Sequence, residues 1–424
     1  KAGGAATLSA GRDLVVASAA AERGSMRKDK RHFWEKTSTT QYGSDVQVGG
    51  GLEVSADNDI TVVASTVKAA GDIAFEAGND VTIASAANEA SSEYRYKRSD
   101  KKINKEDSTV QQQASVIEAG GDLDITADNN LIVSASQLKA GDEAYLYAGD
   151  QLALLSAEDS DYSLYDMKKK GSWGSKEARR DEVTDVRNIG STITTGGDLT
   201  LESGGDQLYR NAELDSGGDL TLDSGGAITL EAVKDTHQES HDESSSSWVW
   251  TSMDSKGKVD ETLRQSQLTA KGEVLISAVD GLHIDVKQVN QQTVSQSIDA
   301  MVQADPSMVW LKEVEARGDV DWRQVREVHD QWSDSHSGLG GPAMIVIAII
   351  VTYFTAGAAS GLVGAGATAG SGTAMAAAGT ASASAVAGGA AVGSTVAAGW
   401  ANVAATAVLT SAASTATIST INNK

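Results

Sequence analysis

The sequence predicts an all-β chain wound as a right-handed parallel β-helix with projecting hairpin arms, and three observations predict it. A phrase of alternating apolar residues hinged on Gly, Asn and Asp returns along the chain, clearest as Gly218-Gly-Asp-Leu-Thr-Leu-Asp-Ser-Gly-Gly-Ala-Ile-Thr-Leu-Glu-Ala232. Phrases recur at a spacing of roughly 21 residues, from Leu52 to Ile73, Leu123 to Ala144 and Leu199 to Leu220, about one turn of such a helix. The composition, 43 Gly, 2 Pro and 5% aromatics in 424 residues, suits thin layers of small aliphatic side chains with glycine corners.

Each phrase holds two short strands. Leu52, Val54 and Ala56 alternate toward one side, and after the Asp57-Asn-Asp59 corner Ile60, Val62 and Ala64 do the same. The second strand begins about eight residues after the first, at Leu14 after Ala6, Val81 after Ile73, Leu131 after Leu123, Ile228 after Leu220 and Leu282 after Val274. Leu208 after Leu199 reads as one residue longer. At the Gly-Asp and Asn-Asp corners, Gly is expected to supply positive φ and the Asx side chain to bond its own backbone two residues on. Ala77, Ser203 and Ser224 are small enough for the tight ends of the turns.

After each pair of turns comes a polar insertion longer than an ordinary loop, near residues 20–44, 87–114, 158–187 and 233–265. Each mixes aromatics with charges, as in His32-Phe-Trp34, Tyr94-Arg-Tyr96, Trp173 and Trp248-Val-Trp250. Recurrence at one point of every unit predicts β-hairpin arms on a β-helix that occupies residues 1–290. Residues 291–341 read as a helical cap or connector. Within it, Asp305 would cap a helix with Pro306 at its first position and Gly318 at its end. Asp319 would start a second helix to about Trp332, with Val325, Val328 and Trp332 on one side.

Residues 342–424 form a segment of opposite character. No Asp, Glu, Lys or Arg lies between Ser335 and Asn423. The apolar run from Ala343 to Phe354 reaches the roughly 20 residues of a membrane span only with Thr355 to Val363. Ile345, Ile347, Ile349, Ile350, Tyr353 and Phe354 are the candidate membrane-inserting residues, and Gly357-Ala-Ala-Ser-Gly361 is a close-packing pattern.

The Gly-Gly-Asp-Leu-x-Leu phrases, the two-turn units with polar arms and the charge-free tail together resemble the haemagglutinin repeats of filamentous-haemagglutinin-like exoproteins. They are most similar to the later repeat region and pre-toxin segment of contact-dependent growth inhibition effectors. The resemblance covers Lys1 to about Val286 for the repeats and Ile298 onward for the pre-toxin segment. It implies export by two-partner secretion through an outer-membrane transporter, placement on a bacterial cell surface, contact with a target-cell outer membrane and delivery of a C-terminal toxin. The chain begins inside a repeat, without a charged and apolar leader, and shows no Val-Glu-Asn-Asn motif or toxin after Lys424, so it reads as an internal fragment.

Composition narrows the chemistry further. A net charge of -23 argues against nucleic acid as a partner of the repeats, and with 0 Cys there is neither disulfide nor thiolate metal site. Asp72, Asp122, Asp142, Asp198 and Asp219 sit beside Gly at corners, where turn formation accounts for them better than catalysis or Ca²⁺ binding. His237 and His241 have a helical chelate spacing, but the following Ser244-Ser-Ser-Ser247 points to a polar arm. Glu327, His329 and Asp330 have no partner that would make a nucleophilic arrangement. No catalytic residue, cofactor or metal is expected. Trp34, Tyr94, Tyr96, Trp173, Trp248 and Trp250 are the candidate contacts to a partner or membrane, beside the basic runs Arg27-Lys-Asp-Lys-Arg31, Lys97-Arg98, Lys101-Lys102, Lys168-Lys-Lys170 and Arg179-Arg180. The expected function is that of a non-enzymatic delivery stalk; a purely adhesive rod is the first alternative and a carbohydrate-active β-helix enzyme the second.

Overall fold

Alternating strands of four or five residues cannot bury their apolar face alone, and stacking them in register is what gives each a partner above and below. The computed structural model describes residues 1–247, 250–288, 293–304, 306–318 and 320–339, and in it the repeat is a parallel β-helix with three walls. One turn runs Leu52–Ala56, Ile60–Val63 and Thr66–Ala69 before Ile73–Ala77 opens the next. Ala6, Leu52, Ile73, Leu123, Ala144, Leu199, Leu220 and Val274 form one column of the first wall. A turn therefore takes 21 residues where it closes directly and 46 to 55 where an arm intervenes, and the two kinds alternate.

The core is a narrow stack of such columns. Val54, Phe75, Ile125, Leu146, Leu201 and Leu222 lie one above another and are buried. Each fully buried Leu or Ile contributes about 1.5–3 kcal/mol. One column departs from the expected register. The strand after Leu199–Ser203 starts at Gln207, not Leu208, so the eight-residue offset is kept and no residue is inserted. Gln207 and Tyr209 face inward, and Leu208 packs outside with Ile132, Ala153 and Leu155. An amide at an inward position carries no apolar signal, which is why the pattern alone shifts the strand by one.

Both corner mechanisms differ from expectation. Gly120, Gly141, Gly196 and Gly217 are not at positive φ. A Cβ on them would stand 2.0–2.3 Å from the carbonyl oxygen one turn below, so glycine is required by the close approach of stacked backbones. Four of the five Gly-Asp aspartates bond the neighbouring turn rather than their own loop. Asp72 Oδ1 accepts from the Asp122 N–H at 3.0 Å, Asp122 Oδ1 from Glu143 at 3.0 Å, Asp198 Oδ1 from Asp219 at 2.8 Å and Asp219 Oδ1 from Glu273 at 2.7 Å. Asp59, Asp80, Asn130 and Asp206 make the same ladder at the second corner.

The third corner has two forms. In direct turns it is made by Ala64, Ala135 and Asn211, all at positive φ (44°, 42° and 49°). In the others the chain leaves there as an arm and returns to the third wall. The residue entering that wall is serine at positions 44, 65, 115, 136, 191 and 266. Ser115 Oγ donates to the carbonyls of Ala84 and Val62 and accepts the Ser65 N–H at 3.4 Å, and Ser191 Oγ donates to Leu155 and Val133.

Beyond Lys287 the stack is closed by helices α1 (Val294–Ala304) and α2 (Trp310–Arg317), the latter entered through a tight turn at Pro306–Val309 and ended by Gly318 at φ 77°. Ile298, Met301, Met308, Trp310, Leu311 and Val314 join the same core as Ile276 and Leu282. The expected helix from Asp319 to Trp332 is instead two strands, Val320–Val325 and His329–Leu339. Val320 and Trp322 alternate with exposed Asp321 and Arg323, and the segment pairs in parallel with Leu282–Lys287. The open edge of that strand and the Arg323–Asp285 bidentate pair, both bonds 2.6 Å, outweigh a helical spacing of only three apolar residues. Asp305 and Asp319, Trp248, and residues 340–424 with the candidate membrane-inserting side chains lie outside the described residues.

Candidate interaction surface: a sheet made of arms

Each arm is a hairpin of two long strands: Ala19–Lys28 with His32–Tyr42, Ala86–Lys97 with Lys101–Gln113, Ala157–Lys170 with Lys176–Ile189, and Val233–Ser246 with Trp250–Arg264. They do not project singly. Every arm pairs antiparallel with the next, and His329–Leu339 adds the ninth strand, so the arms make one continuous sheet beside the β-helix. A lone two-stranded hairpin is marginal in water; alignment on consecutive units supplies the first arm with a neighbour on one side and the other three with neighbours on both.

The roots are clamped in a repeated manner. The N–H groups of Gln41, Gln112 and Asn188, each on a returning strand, donate to Asn88 Oδ1, Asp159 Oδ1 and Asp235 Oδ1 of the strand leaving next, at 2.6, 2.6 and 2.7 Å, and the Leu263 N–H donates to Glu327 Oε1, just before the ninth strand, at 2.7 Å. These residues carry no hydropathy signal; only their common separation of 47 for the first three pairs marks them.

Register places the aromatic candidates together on one face. Arg27, Trp34, Tyr94, Lys105, Tyr165, Asp181 and His241 follow one another across the strands. Trp34 and Tyr94 rings lie 5.5 Å apart, His32 stacks on Trp34 at 5.0 Å and lies tilted against Tyr96 at 4.8 Å, and His32 Nδ1 meets the Tyr94 hydroxyl at 2.9 Å. Arg27 lies over Trp34 and Lys105 over Tyr165. Trp34, Tyr94 and Tyr96 are thus half-buried cross-strand neighbours. Trp173 stands apart, 95% exposed in the turn that tips the third arm, and Trp250 is half exposed at the fourth tip.

The far half of the same face is stitched by histidine and carboxylate. His237 lies on a strand, with Nδ1 2.5 Å from Asp185 Oδ1; His241 bonds Asp181 and His329 bonds Asp260. His237 and His241 are held apart by these separate partners, and no group of three or more His, Asp or Glu among the described residues is placed to hold a metal ion. His329 Nε2 also meets Glu327 Oε2 at 3.0 Å. Hydrogen bonding to Asp260, then to Glu327, raises the His329 pKa. Glu327 is held below the usual carboxylate range: burial opposes ionisation, and the Leu263 N–H, Lys287 and His329 outweigh it.

Asp72, Asp122, Asp198 and Asp219 are engaged with backbone N–H groups at the corners, and the hollow bordered by Arg23, Lys36, Ser38 and Ser92 is an open depression on the sheet. A stack of parallel turns with a lateral sheet defines a β-solenoid. The haemagglutinin-repeat model matches residues 24–104, 94–178 and 171–257, each span running from one arm to the next, and a second haemagglutinin-repeat model matches residues 1–30. The matches cover more than half of the chain, which belongs to the haemagglutinin-repeat family. It is filamentous-haemagglutinin-like, a secreted, surface-exposed protein of an adhesin and structural family rather than an enzymatic one. No curated protein and no solved structure matches it. Among the described residues no helix is long and apolar enough to cross a membrane.

Proposed function

We propose that the chain is the stalk of an exoprotein of contact-dependent growth inhibition, exported through an outer-membrane transporter. The β-helix gives reach, the arm sheet touches the outer membrane of a target cell, and the charge-free segment after Ser335 helps to pass a C-terminal toxin inward. The observation that carries the contact role is the continuous arm sheet, a broad surface whose arms are clamped to one another at their roots. The delivery role draws support from the charge-free segment and from the resemblance to growth-inhibition effectors. The haemagglutinin-repeat match by itself suits the second reading, a purely adhesive rod.

Binding to target cells followed by limited proteolysis separates the two. Delivery requires that residues 340–424 become protected only after the protein has bound target outer-membrane vesicles. Continued cleavage of that segment on bound protein leaves the adhesive rod; failure to bind target cells at all removes both.

A further inference from the structure

The arm tips carry a charge that the rest of the molecule does not. Residues 27–31 hold four cations and one acid, residues 97–102 four and one, and residues 168–176 four and none, a net of +10. With -23 for the whole chain, the remainder carries -33. Some of these cations are paired, Arg98 with Asp100, Lys168 with Asp166 and Lys169 with Glu177. Lys30, Arg31, Lys97, Lys102, Lys170 and Lys176 make no ion pair among the described residues, and all are exposed.

Pairing of the arms brings the three clusters to one edge. Lys97 N–H bonds the Arg31 carbonyl and Lys170 N–H the Asp100 carbonyl, so successive tips adjoin. Strands stand about 4.8 Å apart, which spaces the tips by about 10 Å, close to the screening length at physiological salt. The clusters consequently act as one field. The fourth tip, Ser244 to Trp250, is uncharged but ends in a half-exposed indole, and the third presents Trp173.

We propose that this distal edge docks on a membrane of anionic lipid headgroups, the lysines and arginines meeting phosphates and Trp173 and Trp250 seating at headgroup depth. The proposal rests on the cell-contact reading above and names its chemistry. Lipid is favoured over a soluble polyanion by form. The cations occupy a protruding edge rather than a groove, the strongly negative remainder repels a polymer that would wrap past it, and exposed indoles beside Lys and Arg suit an interface with an apolar interior.

The test is co-sedimentation of the whole chain with vesicles of phosphatidylcholine, with and without phosphatidylglycerol. Binding should need the anionic lipid and fall with salt. The triple variant Lys168→Glu, Lys169→Glu, Lys170→Glu should weaken it by at least about tenfold. Trp173→Ala should also weaken it and reduce the quenching of tryptophan emission by brominated lipid, the remainder coming from Trp250, with the far-ultraviolet strand signal unchanged in both variants. Equal binding to neutral vesicles, or an unchanged affinity of the triple variant, overturns the proposal. So does binding to heparin as tight as to vesicles and indifferent to Trp173→Ala. A triple variant that still binds target cells like the parent chain overturns the lipid edge and leaves the cell-contact reading standing.

Discussion

Gln207 offers a sharp test of how the core is held. Its register neighbours are Leu152 and Ile228, both fully buried, and its own side chain is 1% exposed. Nε2 donates to the carbonyls of Leu201 at 3.2 Å and Asp223 at 2.7 Å, and Oε1 accepts the Tyr209 hydroxyl at 2.7 Å. Gln207→Leu keeps the volume and restores the apolar column but leaves the buried Tyr209 hydroxyl without its acceptor, at a cost of about 1–3 kcal/mol. Tyr209→Phe strands Oε1 at a similar cost. The double variant removes the hydroxyl–amide bond from both sides and is left only with the loss of the two Nε2 bonds, so it should be no less stable than Gln207→Leu alone, and the coupling in the cycle should be at least as large as the Tyr209→Phe cost, about 1–3 kcal/mol. The assay is the urea midpoint of all four proteins together with hydrogen exchange of amides in residues 199–230. A double variant as unstable as the two singles combined would refute the bonded pair.

Three further outcomes are expected. Ala135→Gly should be near neutral, because relief of a left-handed φ, about 1 kcal/mol, offsets the lost methyl, whereas Ala140→Gly in an ordinary strand should cost about 1 kcal/mol by chemical denaturation. Asp80→Ala removes the acceptor of Asn129 Nδ2, Asn130 N and Asn130 Nδ2, at 2.9, 3.0 and 3.1 Å, and should destabilise by about 1.5–3 kcal/mol in the same measurement. The raised His329 pKa makes its contribution full below the unfolded value and lost as pH rises through the folded one. Amide exchange in His329–Leu339 should therefore quicken from mildly acidic to alkaline pH beyond the intrinsic rate, and His329→Gln should abolish that extra dependence.

Much of the fold could be read from side chains that obey a period. The columns through Leu52 and Leu123 are plain in the sequence because inward positions of a stacked strand must be apolar, and the 21-residue spacing follows from three strands and three tight corners. What escaped has a common cause: polar residues whose partners lie a turn or more away. Gln207 looks like a surface residue, Asp72 like the start of a local turn, Ser115 like a loop residue, and each bonds across turns. The strand at Val320–Val325 was hidden because its alternation is short and its decisive partner, Asp285, is remote in sequence. In the arms, the aromatics stood out by type, but nothing local indicates that Trp34 meets Tyr94 or that four hairpins pair edge to edge.

The arm sheet also has a mechanical consequence. A solenoid alone bends about any axis across its length, and its turns can peel away singly. A nine-stranded web along one side adds a second hydrogen-bonded track that joins each long turn to the next long turn, past the short one between them. Such a section is stiff against bending in the plane of the web and compliant across it, like a ribbed beam. Tension along the axis must open both tracks together, so the rod yields in double turns rather than single ones.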